Sequence, residues 1–129
     1  MALPPVVYTG PGIDVTREAA ADLSAKQFYI VKLDTAGKVV LASSAGEAVF
    51  GVLQNAPASG EAALVRTLGV SKVKSGAAFA NAGVNVQTTA AGKADVATTG
   101  DFSVGRILVT AADGDIAMMY VNPNDVALA

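Results

Sequence analysis

Apolar and β-branched residues along this chain fall into short runs, each closed by glycine, asparagine or proline, and that punctuation favours strands over helices. Phe28-Tyr29-Ile30-Val31-Lys32-Leu33 reads as a strand, Asp34-Thr35-Ala36-Gly37 as a turn, and Lys38 to Ala42 as the returning arm of a hairpin. Ala48 to Leu53 predicts a strand, Asn55 to Gly60 a loop, Glu61 to Leu68 a further strand and Gly69 to Lys74 a separate short one. Val84 to Thr88 and Lys93 to Ala97 form a second hairpin around Ala90-Ala91-Gly92. Ser103 to Val109 and Asp115 to Val121 follow, and Asn122-Pro123-Asn124 ends the sheet. Short strands with turn signals every ten or so residues predict an all-β sandwich or barrel.

Two stretches stand apart. Ala2 to Asp14 holds Pro4, Pro5, Gly10, Pro11 and Gly12 around Val6, Val7 and Tyr8, a composition that resists helix and predicts an extended arm. Thr16 to Ala25 reads either way, because Arg17, Glu18 and Ala19-Ala20-Ala21 carry helix propensity. The expected organisation is an N-terminal arm over residues 1–15 and a single β domain over residues 16–129.

The pattern occurs twice. Ala36-Gly37-Lys38, Gly46-Glu47, Phe50-Gly51-Val52-Leu53 and Gly60-Glu61-Ala62-Ala63 return as Ala91-Gly92-Lys93, Gly100-Asp101, Val104-Gly105-Arg106-Ile107 and Gly114-Asp115-Ile116-Ala117. An offset held near 54 residues across four landmarks is an internal repeat, here about residues 28–68 and 84–121. What recurs is turn chemistry and apolar runs, with no reactive group among the shared positions, which points to a structural or binding role.

Several strands are apolar on both faces. Phe28 and Ile30 oppose Tyr29, Val31 and Leu33; Ile116, Met118 and Tyr120 oppose Ala117, Met119 and Val121; Val104 and Leu108 oppose Ile107 and Val109. The chain has no series of amphipathic helices to cover a second face, so the expected cover is another copy or a partner protein. Phe28, Ile30, Met118 and Tyr120 are the candidate oligomer-interface residues. A thick barrel with alanines outside is the alternative.

Composition narrows the function classes. The 129 residues are 52% hydrophobic and 16% charged, which argues for an ordered core. A net charge of −2 with scattered lysines and arginines lacks the basic footprint of a nucleic-acid binder. No apolar run approaches the ~18 residues a membrane span needs, and no secretory signal is evident, so a soluble chain, intracellular when made, is expected. Cysteine and histidine are both absent, which removes the commonest nucleophile, base and metal-ligand types. Aromatic residues are 5% with no tryptophan, a poor supply of stacking platforms for sugars or bases.

The remaining candidates for chemistry are weak. Asp113-Gly114-Asp115 offers paired carboxylates on a tight turn, yet the repeat places Ser59-Gly60-Glu61 there, so the shared element is the turn and no metal is assigned. Ser71-Lys72-Val73-Lys74 matches a Ser-x-x-Lys acyl-enzyme pattern, but in a strand Ser71 and Lys74 point to opposite faces. Gly10-Pro11-Gly12 lacks the spacing and following lysine of a phosphate loop. Asp22, Glu47 and Asp101 are the carboxylates open to a catalytic reading; Glu47 and Asp101 match across the repeat, which argues for a turn role. No catalytic residue, cofactor or small-molecule substrate is expected.

The run from Ala21 to Leu33, with Ala36-Gly37-Lys38-Val39-Val40-Leu41-Ala42, Gly51-Val52-Leu53-Gln54, Gly69-Val70-Ser71-Lys72-Val73 and Gly114-Asp115-Ile116, resembles the head-decoration, or capsid cement, proteins of tailed bacteriophages. The resemblance covers the chain from about Thr16 onward and rests on glycine-turn patterns. It implies a small β-barrel or β-tulip-like domain on the outside of the expanded head in the virion, commonly a homotrimer, clamping neighbouring subunits of the major capsid protein. It also implies a strand at Thr16 to Ala21. In such proteins the N-terminal arm often touches the shell, which makes Leu3, Pro4, Pro5, Val6, Val7 and Tyr8 the capsid-contact candidates. A tail, baseplate or fibre-associated β domain is the alternative, although the long repeats and heptads of fibres are missing.

Overall fold

Alternating apolar runs separated by glycine turns fold here into one antiparallel sheet, and the computed structural model, which describes residues 12–124 and 126–128, contains no helix among them. The strands are β1 (Ile13–Glu18), β2 (Ile30–Leu33), β3 (Val39–Leu41), β4 (Gly51–Leu53), β5 (Ala62–Lys74), β6 (Asn85–Thr88), β7 (Ala94–Val96), β8 (Gly105–Ile107) and β9 (Ile116–Val121). Their order across the sheet is β3-β2-β4-β5-β9-β8-β6-β7, with β1 also paired to β5. The all-β expectation and both hairpins are realised.

Three local expectations change. Glu61 to Leu68 and Gly69 to Lys74 are not two strands but the continuous 13-residue β5. Gly69, at a φ of +118°, marks the place where β5 changes partners: Ala62 to Leu68 pair with β1, and Gly69 to Lys74 pair with β9. The strand expected from Phe28 begins only at Ile30, because Phe28 sits at a φ of +69°, which no extended strand accommodates. Ile13, Asp14 and Val15, expected in the arm, are ladder residues of β1, so the sheet starts earlier than residue 16. The ambiguous Thr16 to Ala25 stretch is strand through Glu18, one bridge residue at Ala19, and turns after that.

The repeat runs deeper in the structure than in the letters. β5 to Gly69 closes the first unit, and its second half opens the next, standing to β9 as β1 stands to the first half of β5. The Ala19 N–H donates to the Glu61 carbonyl at 2.8 Å, and the Ser75 N–H to the Asp115 carbonyl at 2.8 Å. The parallel bridge between Ala19 and Val39 recurs between Ser75 and Ala94. The Phe28 and Gly83 amides donate to the Leu53 and Ile107 carbonyls, each at 2.8 Å. Each unit thus curls strand β1 or the end of β5 back against its own hairpin, giving two small barrel-like units, residues 13–68 and 69–121, fused through one long strand.

Two apolar clusters follow from this. Ala19, Leu23, Val31, Val39, Leu53, Ala63 and Val65 fill the first unit. Phe79, Val86, Ala94, Ile107, Ala117 and Met119 fill the second, and Ile30, Ala42 and Val52 from the first unit pack into that same cluster. The two faces of β2 are therefore both covered inside one chain: Val31 points into its own unit and Ile30, fully buried, into the neighbour. This corrects the assignment of Ile30 to an oligomer interface, and it corrects the premise that two-faced strands need a second molecule for cover. Fusion of two units supplies the cover for β2.

Candidate functional site: an exposed sheet face

One sheet face stays open. Directly opposed residues in an antiparallel ladder share a face, so Tyr120 stands beside Val70 and Arg106, Met118 beside Lys72, and Ile116 beside Lys74. Leu108 follows on the edge, where its N–H donates to the Met118 carbonyl at 2.8 Å. Ile116 is 52% exposed, Leu108 43% and Tyr120 41%, while Met118 is buried among its neighbours. Phe28 reaches the same face, half-buried, with the Lys72 ammonium 5.6 Å from its ring centroid. The Lys74 ammonium donates to the Gly114 carbonyl at 2.6 Å.

The duplication provides an internal control. On the same backbone, the first unit carries Ala62 where the second has Ile116, Arg66 for Tyr120, Gln54 for Leu108, and Asp14, Thr16 and Glu18 for Val70, Lys72 and Lys74. That first face is tied up internally: Asp14 accepts two hydrogen bonds from Arg66, at 2.8 and 3.0 Å, and Glu18 pairs with Lys38 at 2.6 Å. The carboxylate hydrogen bonds hold the Arg66 and Lys38 acidities below normal, so both pKa values are raised. The second face has apolar groups and lysines in place of those pairs.

Of the four interface candidates, Phe28, Met118 and Tyr120 come together on this face and Ile30 does not. Leu108 and Ile116, which the strand pattern marks as apolar without making them interface candidates, and Lys72, which it does not mark, complete the face; the position-by-position difference between the halves picks out all three. The capsid-contact candidates Leu3 to Tyr8 lie outside the described residues.

Asp22, Glu47 and Asp101 each accept backbone N–H groups from neighbours two to four residues away. Glu47 accepts the Ser43 and Ser44 N–H groups at 2.7 and 2.8 Å and pairs with Lys32 at 2.8 Å, and Asp101 accepts from Thr98 at 3.1 Å. Burial works against the Glu47 charge, but Lys32 and the two N–H groups outweigh it and lower the pKa. Asp115 accepts the Ala112 N–H at 3.1 Å, as Glu61 accepts the Ala58 N–H at 2.6 Å, so the Asp113-Gly114-Asp115 carboxylates divide between a turn and solvent. Ser71 is buried and accepts from Gln54 at 2.8 Å, on the face away from Lys74. No group of three potential metal ligands gathers among the described residues.

The described residues form a two-unit β scaffold with an exposed sheet face on its second unit. The family model for phage cement proteins matches residues 7–122, and the chain belongs to that family. It is accordingly a phage structural protein of the virion capsid. Among solved structures, the fold is similar to that of the head fiber gp8.5 N base in bacteriophage phi29, with a TM-score of 0.67 over 85% of this chain and 93% of that one at 14% identity. At that identity the likeness is one of fold. No curated protein matches the chain.

Proposed function

We propose that this protein binds the outer surface of the phage head and stabilises the expanded shell by clamping neighbouring major capsid subunits, without catalysis. The observation that carries the proposal is the family match over residues 7–122, joined to an open apolar and basic face on the second unit. In this reading the protein works as a homotrimer with Phe28, Met118 and Tyr120 at the subunit boundary. The arm residues Leu3, Pro4, Pro5, Val6, Val7 and Tyr8 touch the shell. Three weak arms on one body bind a symmetric lattice far more tightly than one, since later contacts are intramolecular. An extended arm also suits strand addition to a sheet edge of the shell protein.

Sedimentation of the protein alone and with expanded, undecorated heads tests this. Co-sedimentation at a symmetric stoichiometry, lost on deleting residues 2–11 while the fold and the oligomer persist, is the expected result. Full occupancy by the deleted protein refutes the arm's role, and no co-sedimentation of the intact protein refutes the capsid role. A second reading, a fibre-associated β domain, draws support from the fold likeness to a head fiber base; binding at isolated sites in place of a full coat favours it.

A further inference from the structure

The junction between the two units is built from a small set of contacts, and each has a counterpart at a free end of the molecule. Within the junction, the Ile30 N–H donates to the Gly92 carbonyl at 2.7 Å, and the Lys74 N–H donates to the Phe28 carbonyl at 2.9 Å. Val52 and Val73, both fully buried, pack in the shared cluster. The Leu41 side chain lies against the open face of Gly92.

At the free ends the same positions are Gly37 for Gly92, Gly83 for Phe28, Arg17 for Val73 and Arg106 for Val52. Among the described residues no backbone amide donates to the Gly37 or Gly83 carbonyl, as Ile30 and Lys74 do to their counterparts. Arg17 supplies one substitute: its Nε donates to the Gly37 carbonyl at 3.0 Å, and its guanidinium covers the Gly37 face as Leu41 covers Gly92. Arg106 supplies the other, its Nη1 donating to the Gly83 carbonyl at 3.2 Å. The C-terminal residues act alike. The Gly46 N–H of the first unit donates to the Thr88 carbonyl of the second, and the matching Gly100 N–H donates to the Leu128 carbonyl, at 2.8 Å.

We propose that the two free ends are a matched pair of junction surfaces for a second copy of this chain, held shut by Arg17 and Arg106. The end bearing Asn85 and Arg106 has the backbone of the surface that Ile30 and Val52 form inside the molecule, and the end bearing Arg17 and Gly37 has the backbone of its mate. Joined, they would continue the tandem from copy to copy in a heterologous, head-to-tail contact, which grows into a filament unless its rotation closes a ring. The arginines oppose this twice over. They satisfy the carbonyls that a neighbour would otherwise satisfy, and in a head-to-tail contact they bring two like charges into the place of two packed valines. Repeat arrays end in polar capping units for the same reason. Self-association through the open sheet face, on which the homotrimer proposed above rests, is then the contact left to the protein.

The test replaces Arg17→Val and Arg106→Val together in the full chain and follows mass against concentration by sedimentation velocity, with a circular dichroism spectrum and a thermal melt to establish the fold. The double variant is expected to keep the β spectrum and to form a concentration-dependent ladder of species above the wild-type mass. The single variants, mixed one to one, test the junction separately: each carries one opened end, so together they are expected to add a single junction and stop. A folded double variant with the wild-type mass at every concentration overturns the proposal. Should the double variant fail to fold, unchanged mass for the mixed singles overturns it as well. The wild-type mass and its head binding are read in the same runs. Failure of the trimer or capsid proposals is therefore seen in the wild type, and failure of the end-cap proposal only in the variants.

Discussion

Phe28 and Gly83 occupy the same place in the two units, and both have left-handed backbones, with φ of +69° and +85°. Gly83 adopts that conformation without steric cost, whereas a side chain with a Cβ loses roughly 1–2 kcal/mol there. Phe28 is the one non-glycine residue with positive φ among those described. Its ring stands beside Lys72 on the open face, so the strained backbone lies at the residue that places an aromatic ring there.

Phe28→Gly separates stability from contact. Relief of backbone strain offsets the lost burial of a half-exposed ring, so stability in urea should move by no more than ~1 kcal/mol. Self-association and head coating should fall about tenfold or more, read by sedimentation. A variant that loses stability heavily, or coats heads as well as the wild type, would show that the ring serves the fold alone.

Gly51 and Gly105 form a second matched pair, and here glycine is required by close approach. A Cβ on Gly51 would run into the Arg66 carbonyl, and one on Gly105 into the Tyr120 carbonyl, the neighbouring strand in both units. Alanine at either place should cost about 2–3 kcal/mol, seen as a lower denaturant midpoint. Because Gly105 also sits at a φ of +151°, its loss should exceed that at Gly51.

Acid should weaken the first unit through Glu47. Its folded pKa is lowered, so its contribution is present above the ordinary carboxylate range and is lost as pH falls through the depressed folded value. Glu47→Gln should cost about 1 kcal/mol at neutral pH and flatten the decline of stability below about pH 4. Urea unfolding at pH 7 and pH 3 measures both effects. An unchanged pH slope in the variant would show that other carboxylates carry the acid response.

Much of the strand inventory was legible because the turns are local chemistry. Asp34 closes its hairpin by accepting the Ala36 and Lys38 N–H groups at 2.9 Å, and Thr89 closes the matching one with its hydroxyl. The Asp-x-x-Gly and Thr-x-x-Gly spacings announce those turns before any tertiary contact is known. Likewise the matched acids Glu47 and Asp101 were readable as turn residues, since carboxylate caps need only neighbours three or four positions away. Periodicity was less informative about β5, where a glycine that marks a turn elsewhere lies inside one long strand.

By itself the amino-acid order determined the all-β class, the hairpins, the duplication and the scarcity of reactive groups, all of which follow from propensities and spacings within about ten residues. Only the tertiary structure decided which apolar faces are left open. Ile30 and Tyr120 look alike in a strand pattern, yet one is sealed by the second unit and the other meets solvent. That distinction depends on how two copies of one unit pack through β5, a long-range arrangement that no local window records.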